Sequence, residues 1–158
     1  MDSRKLILAI NPGSTSTKIA VYNEEEQLFV KNLKHSAEEI AKYDCIADQY
    51  EFRKSIVLEE VKAAGFDIRD FKVIVGRGGL VKPISSGVWR VNDAMLEDLK
   101  KGVSGQHACN LGGLIAHDIA SSLEGVPAII ADPVVVDEMH PLARVSGHPA
   151  FPRQSIFH

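Results

Sequence analysis

The sequence predicts an α/β domain built on one mixed sheet, and three observations carry that expectation. Short apolar runs rich in Ile, Leu and Val recur at residues 6–10, 71–75 and 127–131, each closed by Gly, Pro, Asp or Asn punctuation. Two more strand-like runs, 18–22 and 27–33, follow the first at hairpin distance. Stretches with the 3.6-residue period then separate the later runs. Strands that begin as a meander and continue in alternation with helices predict a sheet with a parallel portion. The chain has 158 residues, enough for one well-buried domain and too few for two of ordinary size.

Residues 6–10 read as a buried strand that stops at Asn11-Pro12-Gly13, where Pro sets φ and Gly is expected to take the positive φ of a tight turn. Ile19 and Val21 alternate with Lys18, Ala20 and Tyr22 in the return strand. A turn at 23–26 leads to the third strand. Ser36 and Glu39 form a capping box ahead of a helical stretch reaching about Ala64, with a break near Asp44 or Gln49 and Gly65 as its C-terminal stop. The strand at 71–75 delivers Gly76-Arg77-Gly78-Gly79. Residues 88–91 suggest a short strand, Asn92 or Asp93 caps a helix over 94–101, and a mostly buried helix is expected over 107–123. After the strand at 127–131 comes Asp132-Pro133, then a loop-like region until a helix begins near Ser155. The resulting order, β-β-β-α-β-α-β on a mixed five-stranded sheet with flanking helices, is that of a ribonuclease-H-like domain. Ligands of open α/β sheets sit beyond the carboxyl ends of strands, so Asn11, Arg77 and Asp132 should converge on one cleft.

Composition narrows the function classes. Charged residues are 25%, hydrophobic residues 45% and net charge −3, with no basic block of the kind that binds nucleic acid. No apolar run reaches membrane-spanning length and the N-terminus does not read as a signal peptide, so a cytoplasmic setting is expected. The two cysteines, Cys45 and Cys109, are expected to be buried free thiols.

The chemistry concentrates at the strand ends. The hairpin tip packs Gly13, Ser14, Thr15, Ser16 and Thr17 ahead of Lys18. Small residues admit a ligand close to the backbone, and hydroxyls and amides are donors for phosphate oxygens. The tip leads into a strand, so it is neither a G-x-x-x-x-G-K-[ST] loop nor a G-x-G-x-x-G fingerprint. By residue type alone the favoured reading is the plainer one, an ordinary Ser/Thr-rich turn. Arg77 between glycines leaves a guanidinium fork uncovered, suited to a carboxylate or phosphoryl group. Asp132 is a candidate for holding Mg²⁺, with a turn-forming Asp-Pro as its plainer reading. His107 sits at a predicted helix start, a poor place for a protonated imidazole unless it is used. Asp137 and Glu138 read as capping or solvated groups. His140 and His148 fit no zinc spacing.

Asn11-Pro12-Gly13-Ser14-Thr15-Ser16-Thr17-Lys18 between two strands resembles the first signature of the acetate/butyrate kinase family, within the sugar kinase, Hsp70 and actin superfamily. Gly76-Arg77-Gly78-Gly79, Gly105 to Asn110 and Ala131 to Glu138 resemble further family segments in order. The tip, Ser86 to Asn92 and Ala131 to Glu138 lie nearer the butyrate branch than the acetate branch. The resemblance implies an actin-like ATPase fold and phosphoryl transfer between ATP and a short-chain carboxylate, giving ADP and an acyl phosphate. It implies catalytic roles for Arg77, Asp132 and His107. Nucleotide phosphates would be held by Asn11, Gly13, Ser14, Thr15, Ser16 and Lys18, and Mg²⁺ by Asn11 and Asp132. It also places a histidine, His158, near the site and implies a homo-oligomer, dimer or larger. Family members carry a second lobe with the adenosine pocket and further charged groups. Residues 1–158 therefore read as an N-terminal lobe that is inactive alone. Alternatives are an acetate or propionate kinase lobe and a non-catalytic phosphate- or nucleotide-binding module. A ribonuclease-H-like nuclease would need clustered carboxylates, and the first strand ends in Asn11.

Overall fold

β1 (Leu6–Pro12) and β2 (Ser16–Asn23) form the expected hairpin, pairing Leu8 with Val21, Ile10 with Ile19 and Asn11 with Lys18. β3 (Glu26–Lys34) completes an antiparallel meander on β2. The structure is a computed structural model that describes residues 5–155. β4 (Phe71–Arg77) joins β1 in parallel, and β6 (Ala128–Ala131) joins β4 in parallel. The sheet order is β3-β2-β1-β4-β6-β5, with β5 (Val88–Arg90) antiparallel on the β6 edge. The sheet thus has six strands where five were expected. The short 88–91 run earns its place because Val91 donates to the Ala128 carbonyl at 3.0 Å and Asp132 to the Gly87 carbonyl at 3.0 Å, extending the ladder at both ends.

The period-two pattern sorts each strand between two environments. Leu6, Leu8 and Ile10 of β1, Ile19 and Val21 of β2, Ile74 of β4 and Ile130 of β6 are all buried. They share one core with Val57 and Val61 of α2 (Tyr50–Ala63) and Leu111, Ile115 and Ile119 of α4 (Asn110–Ser121). Each such side chain contributes about 1.5–3 kcal/mol by burial. α3 (Asp93–Lys101) packs on α4 and is capped by Asn92, whose side chain accepts from Met95 N at 3.0 Å.

α4 lies unusually close to β4. A Cβ on Gly76 would stand 2.3 Å from the Gly112 carbonyl oxygen, and one on Gly112 would stand 2.9 Å from the Arg77 carbonyl oxygen. The glycines at this crossing let the helix rest on the strand backbone, which fixes the main chain that carries Arg77.

Local expectations were refined in four places. The long helical stretch divides into α1 (Ala37–Ile40), closed by the Ser36/Glu39 capping box, a 3-10 turn Ala47–Gln49, and α2. The helix expected from His107 starts at Asn110, because residues 107–109 form a tight turn with Asn110 N donating to His107 O at 2.9 Å. Gly13 is not among the residues with positive φ; the tip closes instead by Gly13 N donating to Ser16 O at 2.7 Å. Cys45 is exposed, since it falls in the turn between α1 and α2 and not on a helix, while Cys109 is half-buried; both are free. The helix expected near Ser155 and His158 lie outside the described residues, apart from Ser155 itself. No helix among the described residues is long and apolar enough to cross a membrane.

Candidate functional site

β1, β4 and β6 run parallel and end together, so their carboxyl ends bring Asn11, Arg77 and Asp132 to one edge of the sheet. A cleft of about 480 Å³ opens there. Asn11, Gly13, Arg77, His107 and Asp132 all line it, five of the residues singled out from sequence. Ser14, Thr15 and Ser16 follow Gly13 in the tip but do not line the cleft. Lys18 lies across β1 from Asn11 and lines an adjoining groove on the open face of the sheet, together with Asn11 and Arg77.

Arg77 is exposed, and the only hydrogen bond of its side chain among the described residues is a long 3.5 Å contact from Nη1 to Asn11 Oδ1. Its backbone is clamped by α4 while its guanidinium stays available, an arrangement suited to bidentate capture of an anion. Asp132 takes a left-handed backbone conformation, φ 38°, which side chains other than Gly, Asn and Asp rarely tolerate. Its carboxylate Oδ1 accepts from Gly87 N at 2.7 Å, so the side chain is aimed by the β5 edge. The exposed carboxylate and the weakly held Asn11 amide oxygen suit a cation that keeps most of its water and takes its other ligands from phosphates. Among the described residues no three His, Cys, Asp or Glu converge, so a fully protein-caged metal is not built here.

His107 stands in the turn before α4, and its Nδ1 accepts from Cys109 N at 3.2 Å. That bond belongs to the neutral tautomer with the proton on Nε2, so the ring caps the turn and still offers an N–H. Cys109 lines the cleft too; burial raises its thiol pKa, and nearby Arg77 pulls it partly back. Pro12, Leu80 and Val134 add apolar wall to the same cleft.

The weaker candidates have local duties. Asp137 Oδ1 accepts from Met139 N at 3.1 Å and from Arg144 Nη2 at 2.7 Å. Glu138 accepts from Ser86 N and its hydroxyl. His140 Nδ1 accepts from Leu142 N at 3.2 Å, and His148 Nδ1 from Ala150 N at 3.2 Å.

Sequence reasoning missed Arg53. This α2 side chain is 1% exposed and reaches the hairpin tip. Its signal was present, since it falls three residues after Tyr50 and four before Val57, on the helix's apolar stripe. Gly87 and Gly112 were also passed over; their roles depend on contacts between distant segments.

The chain is 57% identical over 152 residues to butyrate kinase 1 of Clostridium acetobutylicum, a match covering 96% of this chain and 42% of that protein. The chain therefore spans less than half the length of the relative it matches. In structure it is similar to a propionate kinase from Francisella tularensis subsp. tularensis SCHU S4, with a TM-score of 0.54, 20% identity and coverage of 92% of this chain and 41% of that one. It is likewise similar to the Porphyromonas gingivalis acetate kinase, with a TM-score of 0.58, 12% identity and coverage of 92% and 41%. No protein-family model matches the chain. The fold shared with these kinases is the ribonuclease-H-like one expected from the order of elements.

Proposed function

We propose that this chain is the N-terminal lobe of a butyrate kinase, and that the complete protein transfers the γ-phosphoryl group of ATP reversibly to the carboxylate of butyrate or a related short- or branched-chain fatty acid. The observation that carries this reading is the convergence of Asn11, Arg77, His107 and Asp132 on one cleft beside the Ser/Thr-rich tip, in a chain so similar to a butyrate kinase.

The residue roles follow from chemistry. An acyl substrate arrives as a carboxylate, already a nucleophile, so no general base is required of the cleft. What transfer does require is in-line placement of the acyl oxygen, the phosphorus and the leaving oxygen, with charge neutralised at the transferring group. Arg77 offers its fork to the carboxylate and the phosphoryl oxygens, and His107 donates from Nε2. Pro12, Leu80 and Val134 receive the alkyl chain. The amides and hydroxyls of Ser14, Thr15 and Ser16, with Asn11, Gly13 and Lys18, face the nucleotide phosphates. Mg²⁺, held by Asp132 with Asn11 and the phosphates, supplies charge neutralisation. The adenosine pocket and further cations come from the other lobe, so this chain alone is inactive. The complete enzyme is read as cytoplasmic and homo-oligomeric.

The test is acyl phosphate formation by the complete protein, trapped with hydroxylamine, across acetate, propionate, butyrate and isobutyrate. The reading expects highest kcat/KM for butyrate or isobutyrate. Preference for acetate would move the chain to the acetate branch, and nucleotide binding without turnover on any acid would make it a sensing module.

A further inference from the structure

We infer that Arg53 is a positioning residue that gives the hairpin tip its affinity for phosphate, by holding the tip's carbonyls inward and placing an uncompensated positive charge behind it. This rests on the phosphate-binding reading of the tip proposed above. Arg53 Nη1 donates to Gly13 O at 2.7 Å, to Ser16 O at 3.1 Å and to Thr17 Oγ1 at 3.2 Å. Its Nη2 donates to Ser14 O at 3.0 Å. The fork is aimed by Gln49, whose Oε1 accepts from Nε at 3.1 Å and from Nη2 at 2.8 Å. Thr15 O, the one carbonyl of the tip that Arg53 does not reach, accepts from His35 N at 2.9 Å.

Every carbonyl from Gly13 to Ser16 is therefore occupied from within the protein. The amides of Ser14 and Thr15 and the hydroxyls of Ser14, Thr15 and Ser16 make no hydrogen bond among the described residues. Ser14 and Thr15 are exposed. A hairpin tip ordinarily shows solvent a mixture of donors and acceptors. This one has had its carbonyl acceptors withdrawn, which leaves two free amides beside hydroxyls that can turn their protons outward, the requirement for an anion.

The charge balance points the same way. A buried guanidinium normally faces a carboxylate, because burying an unpaired charge is costly. All of the hydrogen-bond partners of Arg53 among the described residues are neutral oxygens. Its charge is thus left to act through the tip, where low dielectric weakens screening. A polyphosphate over the tip supplies the missing counter-charge without touching Arg53.

The experiment titrates inorganic pyrophosphate and ATP into the complete protein while following the backbone amide resonances of Ser14 and Thr15, with circular dichroism and denaturant melts to report the fold. Wild type should show saturable shifts of both amides. Arg53→Lys keeps the charge and loses the fork; it should weaken binding about tenfold or more and reduce the amide shifts while the circular dichroism stays native. If Arg53→Lys does not fold, Gln49→Ala removes only the acceptor that aims the fork and should weaken binding severalfold. A folded variant with wild-type affinity and wild-type amide shifts overturns the inference alone, leaving the tip as a phosphate site. Absence of any shift in wild type overturns the inference and the phosphate reading of the tip together.

Discussion

Asp132 offers a substitution that separates charge from structure. Its φ of 38° is a conformation Asn also tolerates, and an Asn Oδ1 can still accept the 2.7 Å bond from Gly87 N. Asp132→Asn therefore keeps the backbone and the hydrogen bond, weakening only the charge-assisted part. Its cost in stability should stay below about 1 kcal/mol. Asp132→Ala loses the bond, and since Asp already carries a Cβ in the left-handed conformation the cost is chiefly that bond, about 1–3 kcal/mol. In the cleft the order is different, because both variants remove the one carboxylate assigned to the metal. Both should raise the Mg²⁺ concentration needed for half-maximal rate by about tenfold or more, each tenfold being about 1.4 kcal/mol. The assay is acyl phosphate formation by the complete protein over a Mg²⁺ series, with denaturant melts in parallel. An Asn variant with an unchanged Mg²⁺ curve and full rate would refute the metal role and leave Asp132 as a turn residue.

Three other perturbations have equally definite outcomes. Ser14→Ala and Ser16→Ala should raise the KM for ATP, since a lost hydrogen bond to a charged group is worth roughly 10- to 150-fold, and leave the melting curve in place; an unchanged KM for the double variant would reduce the tip to a turn. Gly76→Ala would put a methyl group 2.3 Å from the Gly112 carbonyl oxygen, so it should cost more than about 3 kcal/mol or abolish folding, and a melt within about 1 kcal/mol of wild type would show that α4 does not rest on β4 as described. His35, buried and bonded through Nε2 to Thr17 Oγ1 at 2.9 Å, has its pKa lowered from 6.5 by burial and then by Arg53. The unfolded chain therefore binds the proton first as pH falls. Stability contributed by neutral His35 is fully present above about pH 6.5 and lost below it, and denaturant melts of His35→Gln should lack that part of the acid slope.

What could be read from sequence was whatever a local pattern records. The Leu8, Ile10, Ile19 and Val21 alternation encodes a hairpin because side chains on a strand alternate faces. Strand-end placement brought Asn11, Arg77 and Asp132 together before any distance was known, because parallel neighbours end on the same side. What stayed hidden depended on partners remote in the chain. The guanidinium of Arg53 finds the carbonyl of Gly13 forty residues away. The Gly112 backbone meets Gly76 only once α4 has packed. The positive φ expected at Gly13 was taken over by the Gly13 to Ser16 bond, which closes the tip without it. Cys45 was expected to be buried because its surroundings are helix-like, but the break expected near Asp44 falls at this residue and leaves the thiol exposed.

The most direct test of the strand-end cleft as a phosphoryl-transfer site is the turnover of Arg77→Lys in the complete protein. Among the described residues the Arg77 side chain has no hydrogen-bond partner beyond the 3.5 Å contact with Asn11, so the variant should melt with wild type. Lysine retains the charge and loses the planar fork. The account predicts a kcat for butyrate lower by roughly 10²–10³ with an unchanged denaturant melt. A kcat within about twofold of wild type in the folded variant, where even a single lost transition-state hydrogen bond costs far more, would contradict it.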